Sequence, residues 1–332
     1  MVWVRQVLVL FFMMGAVESA ADLGPIGLVL SGGAARGAYE VGVWKALCER
    51  GLADQIRVFS GTSVGAINAA IFASVRDPNK CAQIWREEVR GVFSANPEVF
   101  VNTTRTIGES YIEAKRDVAR DKKDGEKPTW KDKVKRTGQI VIPKVVGMTG
   151  NAFYGSSKSV GFCDSGKLRE ALGRHLLEDW NVGAPFVYVT TFEKSKMETK
   201  VFLLNRNKRE HVIDYVMASA AVPVGYGSVE IGGGQYIDGG IRDNTPVKPI
   251  VDKHPEVETI VVVYLKDEKR LKGKCVSSED FPGVKFIEII PSKDIHGRFG
   301  LGSVDTSSKN VESLIQLGYD DAMGVLKEIE WK

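Results

Sequence analysis

Histidine and cysteine are scarce in this chain of 332 residues, with four of each. No two cysteines are spaced as CxxC and no cysteine–histidine group has ligand spacing, which excludes a structural zinc module and gives no metal site. Four cysteines (Cys48, Cys81, Cys163 and Cys275) admit three pairings, and the sequence does not choose among them. Cys48 and Cys81 each fall on the apolar face of an expected helix, which favours buried free thiols. Proline numbers only 12, and neither a Pro/Ser-rich linker nor an internal repeat divides the chain. One large domain over 22–332 is therefore expected, with an irregular stretch around 91–166. Charge of one sign is also lacking. The formal net charge is +3, and the densest basic stretch, 113–136, is mixed with acids. That balance gives no support for nucleic-acid binding. The apolar run Val7 to Val17 (VLVLFFMMGAV) is too short to span a bilayer comfortably. Lying behind Arg5 and followed by Ser19-Ala20-Ala21, it reads as a secretory signal peptide over 1–21, and so as export to the periplasm or the medium. A buried first element or an uncleaved anchor is the alternative. No cysteine near the cleavage region supports a lipoprotein anchor.

What is present in quantity is glycine, 35 residues, and two clusters of it frame chemistry. Ser63 lies in Gly61-Thr62-Ser63-Val64-Gly65, after the strand-like Ile56 to Ser60 and before the small, apolar, helix-prone Ala66 to Ser74. A serine between two such glycines can occupy a strand-to-helix turn too tight for larger neighbours, which pushes its hydroxyl out of the fold. A helix start also favours negative charge there. At this glycine content a GxSxG arises by chance roughly one time in four, so its weight depends on the rest of the chain.

The second cluster is Ser31-Gly32-Gly33-Ala34-Ala35-Arg36-Gly37. It follows the apolar run Ile26 to Leu30 and precedes a helical stretch, Ala38 to Arg50, with Val41, Trp44, Leu47 and Cys48 on one face. Glycines there let backbone N–H groups approach a bound group, which in acyl transfer is an oxyanion. A plain tight turn is the alternative. A dinucleotide loop fails on spacing, because position 34 breaks GxGxxG, and no cofactor is expected. Farther on, Tyr236-Ile237-Asp238-Gly239-Gly240 follows a hairpin signal at Gly232-Gly233-Gly234 and places an aspartate at a strand's end.

In order and spacing these three elements resemble the patatin-like phospholipases: a glycine-rich loop with a following Arg36, a GxSxG serine, and a later DG[GA] aspartate. Ala218 to Pro223, Asp243 to Val247 and Leu317 to Ala322 are also similar to that family, and the likeness runs from about Pro25 onward. It implies a three-layer α/β/α fold with a central, mostly parallel sheet. It implies a serine lipid acyl hydrolase, of phospholipase A or lysophospholipase type, acting on a phospholipid or other acyl lipid. It also implies a Ser63–Asp238 dyad, an oxyanion hole from Gly32 and Gly33, an elbow framed by Gly61 and Gly65, and a motif completed by Gly239 and Gly240. Arg36, with Gly37, would hold the loop or meet a head group. Many members carry a third glycine where this chain has Ala34, and no donor role is assigned to that position. A hydrolase of small soluble esters or thioesters and a catalytically silent lipid-binding protein are the alternatives.

The rival mechanism is a Ser-Asp-His triad. Only His254 and His296 follow Asp238, and both are expected on exposed loops, while His175 and His211 read as helix-surface or helix-start residues. Apolar strands are expected at Phe186–Phe192, Lys200–Leu204, Thr259–Leu265 and Phe286–Ile290. Helices are expected at Pro78–Val89, Leu168–Leu177, His211–Ala220 and Asn310–Ile329. The basic stretch Glu113 to Arg136, with Trp130 and Ile140-Val141-Ile142-Pro143, reads either as a solvated excursion or as a lid with peripheral membrane contact. Oligomeric state has no signature in the sequence. Asn102-Thr103-Thr104 matches a glycosylation sequon.

Overall fold

A computed structural model describes residues 23–93, 165–178, 180, 184–222, 228–271, 273, 275–296 and 305–328. The N-terminal apolar run, the Asn102 sequon, Cys163 and the basic stretch at 113–136 lie outside the described residues. In chain order the elements are β1 (Ile26–Leu30), α1 (Ala38–Glu49), β2 (Ile56–Thr62), α2 (Val64–Val75), α3 (Pro78–Ile84), α4 (Ser165–His175), β3 (Phe186–Glu193) and β4 (Glu198–Leu203). They continue with α5 (Arg209–Ser219), β5 (Val229–Ile231), β6 (Gly234–Asp238), α6 (Lys248–Lys253), β7 (Thr259–Val263), α7 (Glu268–Leu271), β8 (Lys285–Ile289) and α8 (Ser308–Lys327).

The strands form one eight-stranded sheet. Its centre is parallel: β1 lies between β2 and β7, β7 pairs with β8, and β2 pairs with β3. A parallel strand covered on both faces must be apolar at consecutive positions, and β1 (IGLVL) and β7 (TIVVV) are buried throughout. The pleat then sorts their side chains. Ile26, Leu28, Leu30, Phe59, Val261 and Val263 enter one core, with α1, α2, α5 and α8. Val29, Val58, Ile260 and Val262 enter a second core on the other face, where Ile250 of α6 packs. Helices on both faces of a mostly parallel sheet are the expected three-layer arrangement.

Four apolar positions expected on one helix, Cys81, Ile84, Trp85 and Val89, are all buried, but the helix is not uniform. Asp77 caps α3 by accepting from the backbone N–H groups of Asn79 and Lys80. Past Ile84 the backbone widens into a π-helical turn, Trp85–Val89. This turn lets the buried Trp85 indole donate to Asn68 Oδ1 at 2.6 Å.

The C-terminal helix α8 crosses α1 at two glycines. A Cβ on Gly318 would strike the Tyr39 carbonyl, and one on Gly42 would strike the Ile315 carbonyl. Beside this contact Tyr39 donates to Asp321 at 2.9 Å, and Asp321 also accepts the Ser292 N–H at 3.0 Å. This contact accounts for the Leu317 to Ala322 stretch singled out in the sequence. Gly318→Ala is expected to lower stability by about 3 kcal/mol, because backbone on both sides would have to separate. The measurement is a urea unfolding midpoint, with Gly324→Ala as control. That glycine lies on the same helix with nothing within 4 Å of a Cβ, and its replacement is expected to be neutral or slightly stabilising.

Candidate active site

Ser63 sits in the turn between β2 and α2 with φ 57° and ψ −125°, a conformation that L-residues rarely hold. Close packing around it maintains the turn. A Cβ on Gly61 would run into the Gly65 carbonyl, and one on Gly65 into the Leu30 carbonyl at the end of β1. The two glycines of the pentapeptide are thus required by close approach of backbone to backbone. Ser63 also begins α2: its carbonyl accepts from the N–H groups of Ala66 and Ile67 at 2.9 and 3.2 Å.

Strand register brings Asp238 to this serine. Along one edge of β3, residues Tyr188 to Glu193 pair with β4. Along the opposite edge β2 pairs first, ending with Thr62 opposite Thr190. The next residue, Thr191, pairs on that same edge with Asp238 of β6, which runs toward β2. Two strands thus meet end to end on a shared neighbour, and the chain leaves both at the junction, with Ser63 on one side and Asp238 on the other. The Ser63 hydroxyl faces the Asp238 carboxyl there, closely enough to act on its pKa. Both residues are 6% exposed. Burial raises the Asp238 pKa to about 6, against the hydrogen bonds from Ser63 and the Gly240 N–H that lower it. The Gly240 N–H meets Asp238 Oδ1 at 2.7 Å and fixes the carboxyl plane.

Two further segments brace this pair. Ser219, at the end of α5, accepts the Ser63 N–H at 2.9 Å and donates to the Thr190 carbonyl at 2.7 Å. Two residues on, the Ala221 carbonyl accepts the Asp238 N–H at 2.9 Å. Asp243 to Thr245 forms the second brace. Asn244 accepts the Gly32 N–H on its own carbonyl at 3.0 Å and donates from Nδ2 to the Gly32 carbonyl at 3.1 Å. Thr62 Oγ1 donates to the Asp243 carbonyl at 2.9 Å, and Ser31 and Thr245 share a hydroxyl–hydroxyl bond of 2.9 Å. These bonds tie the glycine-rich loop to the end of β2. Both stretches were singled out in the sequence, but their work was not, because side-chain-to-backbone bonds across about 200 residues leave no local pattern.

This bracing changes one expectation. Gly32 and Gly33 were both assigned as oxyanion donors, but the Gly32 N–H is already committed to Asn244. Among the described residues the N–H groups of Gly33 and Ala34 have no partner. Ala34 has φ 52°, in the left-handed region that favours glycine. The backbone therefore keeps the conformation of a third glycine although the residue is alanine.

Arg36 holds the loop from behind. It donates from Nε to the Gly33 carbonyl and from Nη1 to the Leu265 carbonyl, each at 3.0 Å, and Nη1 also meets His296 Nε2. Burial, then the charge of Arg270, brings its pKa down to about 10, so it remains a cation at neutral pH. With its donors engaged in this way, the loop-holding role fits Arg36 better than head-group contact. Gly37 lies under Val64 and Trp85, where a Cβ has no room. Behind it Asn68 donates to the Gly37 carbonyl at 3.0 Å and to Glu40 Oε2 at 2.7 Å. Glu40 is wholly buried, and burial pushes its pKa well above the carboxylate range. Gly239 lies against the Thr190 carbonyl, again without room for a Cβ.

The histidines differ from expectation in burial but not in partnership. His254 and His296 are buried, 6% and 9% exposed, rather than on exposed loops. His254 bonds the Tyr188 hydroxyl at 3.0 Å and Glu256 at 2.9 Å. His296 accepts from Arg36 and is held neutral, its pKa lowered to about 4 by burial and then by the Arg36 and Arg270 cations. His175 bonds Glu88 at 2.6 Å, and His211 is exposed at the start of α5. None of these bonds leads to Ser63. Asp267, Asp294 and His296 bring possible ligand atoms within 4.8 Å of one another. Arg270 already lies 3.6 Å from Asp267 and 3.5 Å from Asp294, and Arg36 occupies His296 Nε2, so the group is a closed ion-pair cluster. Cys48 and Cys275 are partly buried and Cys81 is fully buried, all as free thiols, and burial pushes the Cys48 pKa up to about 12.

Since Asn244 fastens the glycine-rich loop through both the N–H and the carbonyl of Gly32, Asn244→Ala is expected to lower kcat for ester hydrolysis about 10- to 100-fold with a smaller change in KM. Steady-state kinetics on a short ester, beside an unchanged circular dichroism spectrum, would check this.

A serine on a strained strand-to-helix turn, beside a buried carboxyl at the carboxyl ends of a parallel sheet, is the arrangement found in α/β serine hydrolases. The model of the patatin-like phospholipase family matches residues 28–251, two thirds of the chain, and the chain belongs to that family. Over 52 residues it is 52% identical to lysophospholipase nte1 of Aspergillus terreus, covering 16% of this chain and 3% of that protein. Over 67 residues it is 40% identical to patatin-like phospholipase domain-containing protein 7 of Rattus norvegicus, covering 19% of this chain and 5% of that protein. The matched segments are thus small parts of much longer relatives. Among solved structures it is similar to VipD from Legionella pneumophila, at 18% identity and a TM-score of 0.47, covering 92% of this chain and 67% of that one. It is also similar to human GIVD cytosolic phospholipase A2, at 12% identity and a TM-score of 0.42, covering 91% and 58%. The family assignment does not rest on these two.

Proposed function

We propose that this protein is a serine lipid acyl hydrolase of the phospholipase A or lysophospholipase type, working through a Ser63–Asp238 dyad. The observation that carries this reading is the meeting of Ser63 and Asp238, both buried, at one strand junction, where burial raises Asp238 to about 6. A base of that strength is largely ionised at neutral pH yet far more basic than an ordinary aspartate. In the proposed cycle Ser63 Oγ attacks the ester carbonyl carbon while its proton passes to Asp238. The carbonyl oxygen, now negative, is met by the free N–H groups of Gly33 and Ala34 at the start of the loop's 3₁₀ turn. The carbon–oxygen bond of the ester then breaks, and the leaving alkoxide takes the proton from Asp238. Water, losing its proton to Asp238, attacks the acyl-Ser63 ester, and collapse of that intermediate releases the fatty acid while Asp238 returns the proton to Ser63 Oγ.

Ile241, three residues beyond Asp238 and 50% exposed, offers an apolar surface beside the site for an acyl chain or a lipid surface. Export through the N-terminal run, and peripheral membrane contact, belong to the same proposal. No described helix is long and apolar enough to cross a membrane. The test is mass spectrometry of the intact protein quenched during turnover of a lysophospholipid, together with free fatty acid release. An acyl adduct on Ser63 with fatty acid release is the expected result. Turnover of only short soluble esters would assign a simple esterase, and no adduct with lipid still bound would assign a silent lipid-binding protein.

A further inference from the structure

Beside the dyad, on the far side of Asn244, lies a cavity of about 590 Å³ that the ester chemistry does not use. It opens at the carboxyl ends of β1 and β7, with Ser31 and Thr245 on its inner wall and Leu265 and Val276 as apolar lining. Gly32, which Asn244 clamps, has Ser63 as its next neighbour: a Cβ on Gly32 would lie 3.1 Å from the Ser63 Cβ. One residue therefore separates the cavity from the nucleophile.

The lining is charged, and its charges are not equally committed. Arg270 is held by Asp267 and Asp294. Asp280 accepts the Ser277 hydroxyl at 3.0 Å. Asp243 accepts the Thr245 N–H and faces the Lys248 charge. Arg242 and Lys266 are exposed and line the same cavity from two strand ends. Among the described residues neither side chain has a hydrogen-bond or ion-pair partner. Two uncommitted cations beside a hydroxyl pair are suited to one chemistry, a tetrahedral oxyanion such as a phosphate ester. Arg supplies a fork of donors and Lys a point charge.

Resting on the reading of the site as an acyl-lipid hydrolase, we propose that this cavity is a subsite for a phosphate-type anionic group and that Arg242 and Lys266 receive it. In a glycerophospholipid the phosphate stands only a few bonds from the ester carbonyl. A lipid whose carbonyl meets Ser63 therefore reaches the cavity across Gly32. Selectivity for phosphate-bearing acyl lipids over neutral ones follows, and it weakens with salt because both cations face solvent.

The experiment compares the full-length wild type with an Arg242→Gln, Lys266→Gln double variant. The ratio of kcat/KM on lysophosphatidylglycerol to that on a monoacylglycerol of the same chain is expected to fall about tenfold in the variant. An Arg242→Lys, Lys266→Arg variant, which keeps both charges, is expected to recover most of the ratio. An unchanged ratio, or equal losses on the two lipids, would overturn the proposal. Glycerol 3-phosphate and inorganic phosphate are then titrated while the melting temperature is followed. A larger shift with glycerol 3-phosphate, lost in the double variant, assigns the cavity to a lipid head group. Equal shifts, lost in the double variant, assign it to free phosphate. Shifts that persist in the variant count against it. Labelling of Ser63 by a fluorophosphonate separates this proposal from the one beneath it. If Ser63 labels and esters turn over while phosphate has no effect, the subsite alone fails. If Ser63 does not label while the phosphate shift remains, the hydrolase reading fails.

Discussion

Ser63→Ala is expected to lower ester hydrolysis about 10⁴-fold or more and to abolish labelling by a serine-directed fluorophosphonate. The reason is covalent: among the described residues, Ser63 is the hydroxyl that meets the Asp238 carboxyl at the junction of β2 and β6. The variant should still fold, because the contacts that make the turn belong to Gly61, Gly65 and the Ser219 brace rather than to the serine hydroxyl. Ser219→Ala separates position from reaction. It leaves the Ser63 hydroxyl in place but removes the group that holds the Ser63 N–H. Retained labelling at a reduced rate is its expected result. Equal activity of wild type and Ser63→Ala on a purified acyl lipid would remove the serine from the mechanism.

Asp238→Asn is expected to cost about 10³-fold in kcat/KM while making the protein more stable. An amide of the same shape keeps an acceptor for the Gly240 N–H but cannot take the Ser63 proton. In the wild type the base must be ionised, so kcat/KM is expected to rise with pH through about 6 and then level. The stability effect has a definite sign. The folded pKa lies above the ordinary value of 3.8, so from about pH 4 to about pH 6 the unfolded chain has released a proton that the folded chain retains. Stability contributed by this group therefore falls as pH rises across that window and is level above it. Removing the charge restores up to about 3 kcal/mol at neutral pH, a difference that vanishes below about pH 4. Paired urea titrations at pH 4 and pH 7 measure it. A variant no more stable than wild type at pH 7 would mean that the carboxyl is not desolvated as its burial implies.

The two halves of the site were legible to different degrees. The elbow is local: glycines on either side of Ser63, a short strand before it and a small-residue helix after it describe the turn within a dozen residues. Asp238 was reached only through the resemblance, because an Asp-Gly pair is by itself an ordinary turn. The hairpin signal at Gly232 and Gly233 proved a true reverse turn, with φ 56° and 82°, and delivers the aspartate to the strand end. The sequence pointed to the Gly32 and Gly33 amides alike, but it could not show that the first of them is already bonded. The partner of Gly32 is Asn244, which is 212 residues away and joins it through backbone as well as side chain. His254 and His296 read as exposed because their neighbours are polar. They are buried beside Tyr188 of β3 and Arg36 of the loop after β1, which bond them from distant parts of the chain.

Sequence by itself settled the layered fold, most strands and most long helices, because period and glycine placement act over a few residues and survive without tertiary context. It also placed a serine between two glycines at a strand's end. Tertiary structure alone decided which groups stand beside it. Ser63 and Asp238 meet because β2 and β6 share one edge of β3 and stop at adjacent residues, a matter of register across 175 positions of chain. The Asp238 pKa, the commitment of Gly32 and the freedom of Arg242 and Lys266 likewise depend on burial and distance. Those quantities belong to the packed sheet and not to any one segment of it.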